Sequence, residues 1–196
     1  MSFSHEVKEE LSGNLPKARH CQLAELAALV SFLCKLTIKD GKTYLILDTE
    51  STVTLRKYFT LLSKTLSIDK DDKVLSDQQA LEVLQTVKFW KEDITKPLQV
   101  DVTDGVLLQQ TCCKRSFIRG AFLATGSISD PNKAYHMEIV CRTMSQALQL
   151  QGVMNSFAVD AKIVERKQHY VVYLKEGSQI VDMLNVMGAH VALMNL

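Results

Sequence analysis

Cys112-Cys-Lys-Arg-Ser-Phe-Ile-Arg-Gly-Ala-Phe-Leu-Ala-Thr-Gly-Ser-Ile-Ser-Asp-Pro131 decides the fold. Its apolar residues recur at helical spacing from about Cys112 to Ala124. Gly126 follows the last of them, and Asp130-Pro131 cannot continue a helix, so a helix followed by a short strand or turn is predicted. Gly120, Ala121 and Ala124 leave one side of that helix thin. A thin apolar side admits a second helix at close range, and a second copy of the pattern lies 91 residues earlier. At that offset Cys21 matches Cys112, Leu26 matches Phe117, Phe32 matches Leu123, Tyr44 matches Tyr135, Thr52 matches Thr143, Phe59 matches Leu150 and Asp69 matches Asp160. Matches held over about fifty residues indicate an internal duplication. The earlier helix, Cys21 to Cys34, has its own small-residue face in Ala24, Ala27, Ala28 and Ser31.

Further along, the segment 79 to 87 fits 179 to 187 only at an offset of 100, so the first copy lacks about nine residues. The extra residues fall near Val164 to Lys175, where Arg166-Lys-Gln-His169 between apolar runs reads as a β-hairpin turn. In chain order, Ser2 to Leu11 reads as a short helix capped by Ser4. Asp40-Gly41-Lys42 is a turn between two strands, and Thr52 caps a helix to about Leu66. A helix from Ser76 to Trp90 leads to a linker from Pro97 to Gly105. The second copy then reads helix 112 to 124, strand 134 to 142, helix 144 to 157, strands 159 to 166 and 169 to 175, and helix 177 to 188, with Gly188 as its stop.

The chain has 196 residues, 46% hydrophobic and 23% charged, enough to enclose a real core. The fold class is α+β, one pseudo-symmetric domain over 1–196, with repeat 1 at about 20–95 and repeat 2 at about 111–190. Five cysteines, no signal-like N-terminus and no long apolar run fit a cytoplasmic protein with reduced thiols and no membrane span. A formal charge of +1 leaves any nucleic-acid argument to local clusters.

Arg119 to Pro131 resembles the second helix motif of the LAGLIDADG domain. More narrowly, the chain is similar to the N-terminal region of the WhiA family of bacterial sporulation and cell-division regulators. Met1-Ser-Phe-Ser, Val7-Lys-Glu-Glu-Leu11, Ala24-Glu-Leu-Ala-Ala-Leu29, the run from Cys112 to Leu123, Tyr135-His-Met-Glu-Ile139, Tyr173-Leu-Lys-Glu-Gly177 and Met187-Gly-Ala-His190 carry the resemblance. It spans essentially the whole chain and is weakest from Ser67 to Gln99. The resemblance implies a homing-endonuclease-like fold and a non-catalytic DNA-binding transcription regulator acting in sporulation, cell division and chromosome segregation. Such a protein would be nucleoid-associated. The family also has a C-terminal helix-turn-helix domain, which is absent from this sequence.

Nucleases of this fold carry a metal-binding acid at the C-terminal end of each central helix, because a hard cation needs carboxylate oxygen beside the scissile phosphate. Cys34 and Thr125 occupy those positions here, which argues against catalysis and against a metal or other cofactor. Asp40 and Asp130 lie beyond the turns. Two basic clusters are candidates for contact with double-stranded DNA. One is Lys114, Arg115 and Arg119; the other is Lys162, Arg166, Lys167 and Lys175, with His169 and Tyr173. Lys162 and Arg166 are expected on one sheet face, Tyr173 and Lys175 on another. Binding through this domain is expected to be weak and salt-sensitive.

The alternatives are an interaction or sensing module, partnering other proteins or the helix-turn-helix domain, and an active homing endonuclease. His20-Cys21 and Cys112-Cys113 begin the two central helices. If those helices run side by side, a shared metal or redox site is one reading of the four residues; but adjacent cysteines diverge by about 100° around a helix and no Cys-x-x-Cys occurs, so free buried thiols are expected there. Met183, Met187 and Met194 suit a helix face in contact with a partner or with the core.

Overall fold

The structure is a computed structural model that describes residues 2–89, 102–103, 105–129 and 134–195. Its elements run α1 (Phe3–Ser12), α2 (Arg19–Leu33), β1 (Cys34–Lys39), β2 (Lys42–Leu47), α3 (Thr52–Leu66), β3 (Val74–Ser76), α4 (Gln78–Thr86) and a 3₁₀ turn (Gly105–Leu108). Then follow α5 (Thr111–Thr125), β4 (Gly126–Ile128), β5 (Met137–Cys141), α6 (Met144–Asn155), β6 (Lys162–Arg166), β7 (His169–Leu174), α7 (Gly177–Met187) and α8 (His190–Met194). Trp90, most of the linker from Pro97 and the Asp130-Pro131 turn lie outside the described residues.

The expected pair of central helices is α2 and α5. Every residue of α2 from Cys21 to Phe32 is buried, the polar Gln22, Glu25 and Ser31 included. Its small residues Ala24, Ala27, Ala28 and Ser31 are wholly enclosed. Gly120 of α5 lies against them: a Cβ there would stand 2.7 Å from the Glu25 carbonyl oxygen and 2.8 Å from the Ala28 Cβ. Phe32 and Phe117 meet edge-to-face at 6.4 Å.

Each central helix passes straight into a strand. Cys34 and Gly126, at the junctions, are both extended, with ψ of 144° and 157°. Gly126 is therefore needed for room rather than for a left-handed turn, since a Cβ there would collide with the Phe122 ring. Gly188 does take the left-handed stop, at φ 91°.

Sheet register fixes the duplication and corrects its spacing. Cys34 pairs with Leu47 and Gly126 with Ile139, and Ser51 and Thr143 cap α3 and α6. These three correspondences, 34 to 126, 47 to 139 and 51 to 143, each differ by 92 rather than 91. Because Cys112 and Cys113 are adjacent, Cys21 scores an identity at either spacing, which hides the slip. The cap of α3 is Ser51, not Thr52, and that of α1 is Ser2, not Ser4, whose hydroxyl instead accepts from the Ile128 amide.

The offset of 100 for the later helices holds. Ala80, Val83 and Leu84 of α4 are buried in phase with Ile180, Met183 and Leu184 of α7. The sheets are β1-β2-β3 and β4-β5-β7-β6, all antiparallel. Among the described residues the first copy thus lacks the counterpart of β6, the hairpin strand expected from the sequence. Met183 and Met187 belong to the core, while Met194 is 84% exposed.

Candidate nucleic-acid interface

Residues directly opposite in an antiparallel ladder share a face. Tyr173 lies opposite both Glu138 and Lys162, and His169 lies opposite Arg166. Lys162, Arg166, His169 and Tyr173 therefore share the solvent face of the second sheet. Lys175, two residues on, places its ammonium 5.3 Å from the centre of the Tyr173 ring. The expectation of two different faces is overturned by the turn. Lys167-Gln168, at φ 51° and 68°, is a two-residue loop that pairs an even-numbered residue with an odd-numbered one.

This face is not uniformly basic. Arg166 donates two hydrogen bonds to Glu138, at 3.0 and 3.2 Å, and holds that carboxyl below the usual carboxylate range. His136 Nε2 lies 3.1 Å from Glu138 Oε2 and its ring stacks on Tyr173. Lys162 pairs with Asp160 at 2.9 Å. Lys167 stands at the hairpin tip, where its carbonyl lies 3.1 Å from His169 Nδ1.

The other cluster is not part of this face. Lys114 and Arg115 lie near the start of α5, with Arg115 about 16 Å along the helix from Gly126, where the sheet begins. Arg115 leans over Phe157, 5.3 Å from its ring centre. Arg119 is only 7% exposed. It donates to Glu25 at 2.7 Å and to the Met187 carbonyl at 2.8 Å, so its charge is taken up inside the protein rather than offered to solvent.

The first sheet supplies basic residues that counting charge clusters in the second copy missed. Register places Lys35, Thr37 and Lys39 on the same face as Ile46, Tyr44 and Lys42, away from the core side bearing Cys34, Leu45 and Leu47. Lys35 pairs with Asp48 at 3.1 Å, whereas Lys39 and Lys42 have no ion pair among the described residues. The signal was present as a period of two in Lys35-Leu-Thr-Ile-Lys39 and Lys42-Thr-Tyr44.

At the ends of α2 and α5, buried last-turn helix carbonyls are bonded across the duplication. Leu123 O accepts from Thr54 Oγ1 at 3.0 Å, and Ser31 O accepts from Gln146 Nε2 at 2.8 Å. Ser31 and Leu123, like Thr54 and Gln146, are 92 residues apart, so each copy caps the other's helix. The Arg142 guanidinium adds donors to Ser31 O and, at 3.0 Å, to Cys34 O.

Corresponding positions at these ends are Leu33 with Thr125 and Cys34 with Gly126, which corrects the pairing of Cys34 with Thr125. None is a carboxylate. Cys34 is enclosed, and burial pushes its thiol up to about 12. Thr125 Oγ1 donates to Val140 O. Asp40 sits at the far tip of the β1–β2 hairpin, and Asp130 is outside the described residues. A guanidinium where a hard cation would need carboxylate oxygens means these residues do not fit the divalent metal of the nucleases.

The family described as "WhiA N-terminal LAGLIDADG-like domain" matches residues 19–90, and "WhiA LAGLIDADG-like domain" matches 114–196. The probable cell division protein WhiA of Lachnoclostridium phytofermentans is 48% identical over 211 aligned positions, covering all of this chain and 67% of that protein. The chain belongs to the WhiA family. The WhiA of Lachnospira eligens is 40% identical, again over the whole chain and 66% of the relative, so this chain spans about two thirds of the length of its curated relatives.

Full-length WhiA of T. maritima superposes with a TM-score of 0.74 at 21% identity, covering all of this chain and 64% of the other. I-DmoI in complex with DNA and Mn superposes at 0.59 and 13% identity, covering 87% of this chain and 98% of the other. These likenesses give the fold, which is the expected homing-endonuclease-like one. Among the described residues no helix is long and apolar enough to cross a membrane.

Proposed function

We propose that this chain is the LAGLIDADG-like part of a non-catalytic, DNA-binding transcription regulator acting in cell division, sporulation and chromosome segregation, cytoplasmic and nucleoid-associated. The domain holds double-stranded DNA weakly, through the solvent faces of its sheets. The observation that carries this is the shared placement of cationic and aromatic side chains on those faces. They are Lys35, Lys39, Lys42 and Tyr44 on the first sheet and Lys162, Arg166, Tyr173 and Lys175 on the second. Ammonium and guanidinium groups at strand spacing follow a phosphate backbone without reading sequence. The Arg142 guanidinium at the helix ends, with no acid at the corresponding positions, supports binding without cleavage.

A second function, protein interaction with DNA binding left to a helix-turn-helix domain, is favoured by Glu138, which takes up the charge of Arg166. Fluorescence anisotropy of the chain with a random labelled duplex, in magnesium at low and moderate salt, separates the two. Saturable binding that falls steeply with salt, weakened by Lys39→Glu with Lys42→Glu but not by Lys114→Glu, is expected, with the duplex left uncut. Absence of binding even at low salt would move the domain to the second function.

A further inference from the structure

At the other end of the central helices, four side chains that can bind a soft metal converge. His20 Nδ1 lies 3.2 Å from Cys113 Sγ, 3.5 Å from Cys21 Sγ and 3.8 Å from Cys112 Sγ, and all four donor atoms lie within 4.8 Å of one another. We propose that His20, Cys21, Cys112 and Cys113 form a tetrahedral zinc site that staples the N-terminal ends of α2 and α5.

The geometry suits that ion. Zinc bonds of about 2.3 Å to sulfur and 2.0–2.1 Å to nitrogen give donor separations of about 3.5–3.8 Å in a tetrahedron, so the widest separation here closes by about 1 Å on binding. Side-chain rotation supplies a movement of that size. The donor set, three thiolates and one imidazole, is one that selects zinc over the hard cations.

The duplication builds the site. His20 and Cys21 are the second and third residues of α2, and Cys112 and Cys113 are the second and third of α5, again 92 apart. Neighbours on a helix diverge, so one helix could not close a four-donor shell by itself. Two helices related by the duplication can, each supplying one buried donor, Cys21 or Cys113, and one exposed donor, His20 or Cys112. Burial of free thiols accounts for the inner pair alone. The exposed pair gives the ion a route in from solvent.

Electrostatics favour the same place. Neither Ala18 nor Gln110 caps its helix with a side-chain hydrogen bond. Zinc with three thiolates carries one net negative charge, set beside the positive ends of two helix dipoles.

Cobalt(II) titration of the reduced, metal-free chain tests the site. Expected are intense thiolate-to-cobalt absorption and tetrahedral d–d bands that saturate at one ion per chain and are displaced by zinc, together with protection of Cys112 from alkylation. His20→Gln with Cys112→Ser alters exposed positions only. That double variant is expected to keep its circular dichroism and to lose zinc affinity by more than the ~10- to 100-fold that removal of an outer-shell partner costs. A folded chain that shows no tetrahedral cobalt spectrum, or a double variant that shows the same one, overturns the site.

Discussion

Glu25 and Arg119, one on each central helix, meet at 2.7 Å in the interior, with Glu25 wholly enclosed. Lys57 of α3 approaches the other carboxylate oxygen at 2.8 Å, and its remaining donors reach the carbonyls of Leu11, at 3.1 Å, and Asn14, at 2.5 Å. One carboxylate thus joins both copies and anchors the turn after α1. Burial is the largest influence on these groups; it pushes the Glu25 carboxyl up and the Lys57 ammonium down, while each opposes the other's shift.

Removing the carboxylate leaves two buried cations facing one another. Glu25→Gln is expected to cost about 3–5 kcal/mol, the usual range for breaking a buried pair. Arg119→Met leaves Glu25 with Lys57 and is expected to cost less. Urea unfolding, with unchanged m-values, reads the order of the two midpoints. A larger loss for Arg119→Met would show that the Met187 carbonyl contact, not the charge balance, dominates.

Two glycines separate helix propensity from packing. In an α-helix Gly→Ala gains about 0.8–1 kcal/mol where space is free. Gly152 of α6 has nothing within 4 Å of an added Cβ, so Gly152→Ala is expected to stabilise by that amount. At Gly120 the same methyl meets the Glu25 carbonyl at 2.7 Å and Ala28 at 2.8 Å, forcing the central helices apart. Gly120→Ala is expected to destabilise by about 1–3 kcal/mol. Ala28→Gly, at the corresponding position of the other copy, is expected to restore part of the loss. Thermal melts of the three variants provide the check.

The central helices and the duplication were legible because small residues repeat at helical spacing and apolar residues recur in phase. The one-residue slip was not, since Cys112-Cys113 satisfies both spacings and only the pairing of Cys34 with Leu47 and Gly126 with Ile139 decides. The basic sheet face was half legible. Strand periodicity places Lys162 with Arg166, but relating them to Tyr173 requires knowing the turn has two residues. Arg119 misled because charge in a sequence carries no depth, and its partner Glu25 is 94 residues away. The cysteine cluster was half legible too: His20-Cys21 and Cys112-Cys113 could be placed at the starts of the two central helices, but the convergence of their four donors depends on how those helices pack.

The β6–β7 turn carries strain that its sequence does not relieve. Lys167 and Gln168 both hold positive φ, which side-chain-bearing residues adopt at a cost, while the Asp40-Gly41 turn of the first sheet uses a favoured pair. Gln168→Gly is expected to stabilise by about 1 kcal/mol with the hairpin register kept. A denaturant midpoint that falls instead would show that the Gln168 side chain has a contact worth more than the strain.

Glu138 sets how much positive charge the second sheet presents. Its carboxyl is depressed mainly by the hydrogen bonds from Arg166, with His136 adding to the effect. A depressed acid contributes stability that is present above its unfolded value, about 4.3, and is lost as pH falls through the lower folded value. Below about pH 4.3, therefore, the unaltered chain is expected to lose stability faster than Glu138→Gln, which has no proton to take up. At neutral pH the same variant releases the Arg166 guanidinium. If this face meets phosphate, duplex binding strengthens and the slope of log affinity against log salt steepens by about 0.9 for one added contact. Anisotropy titrations at several salt concentrations read that slope. An acid-stability difference without any change in slope would leave the Glu138–Arg166 pair a structural feature and remove Arg166 from the DNA face.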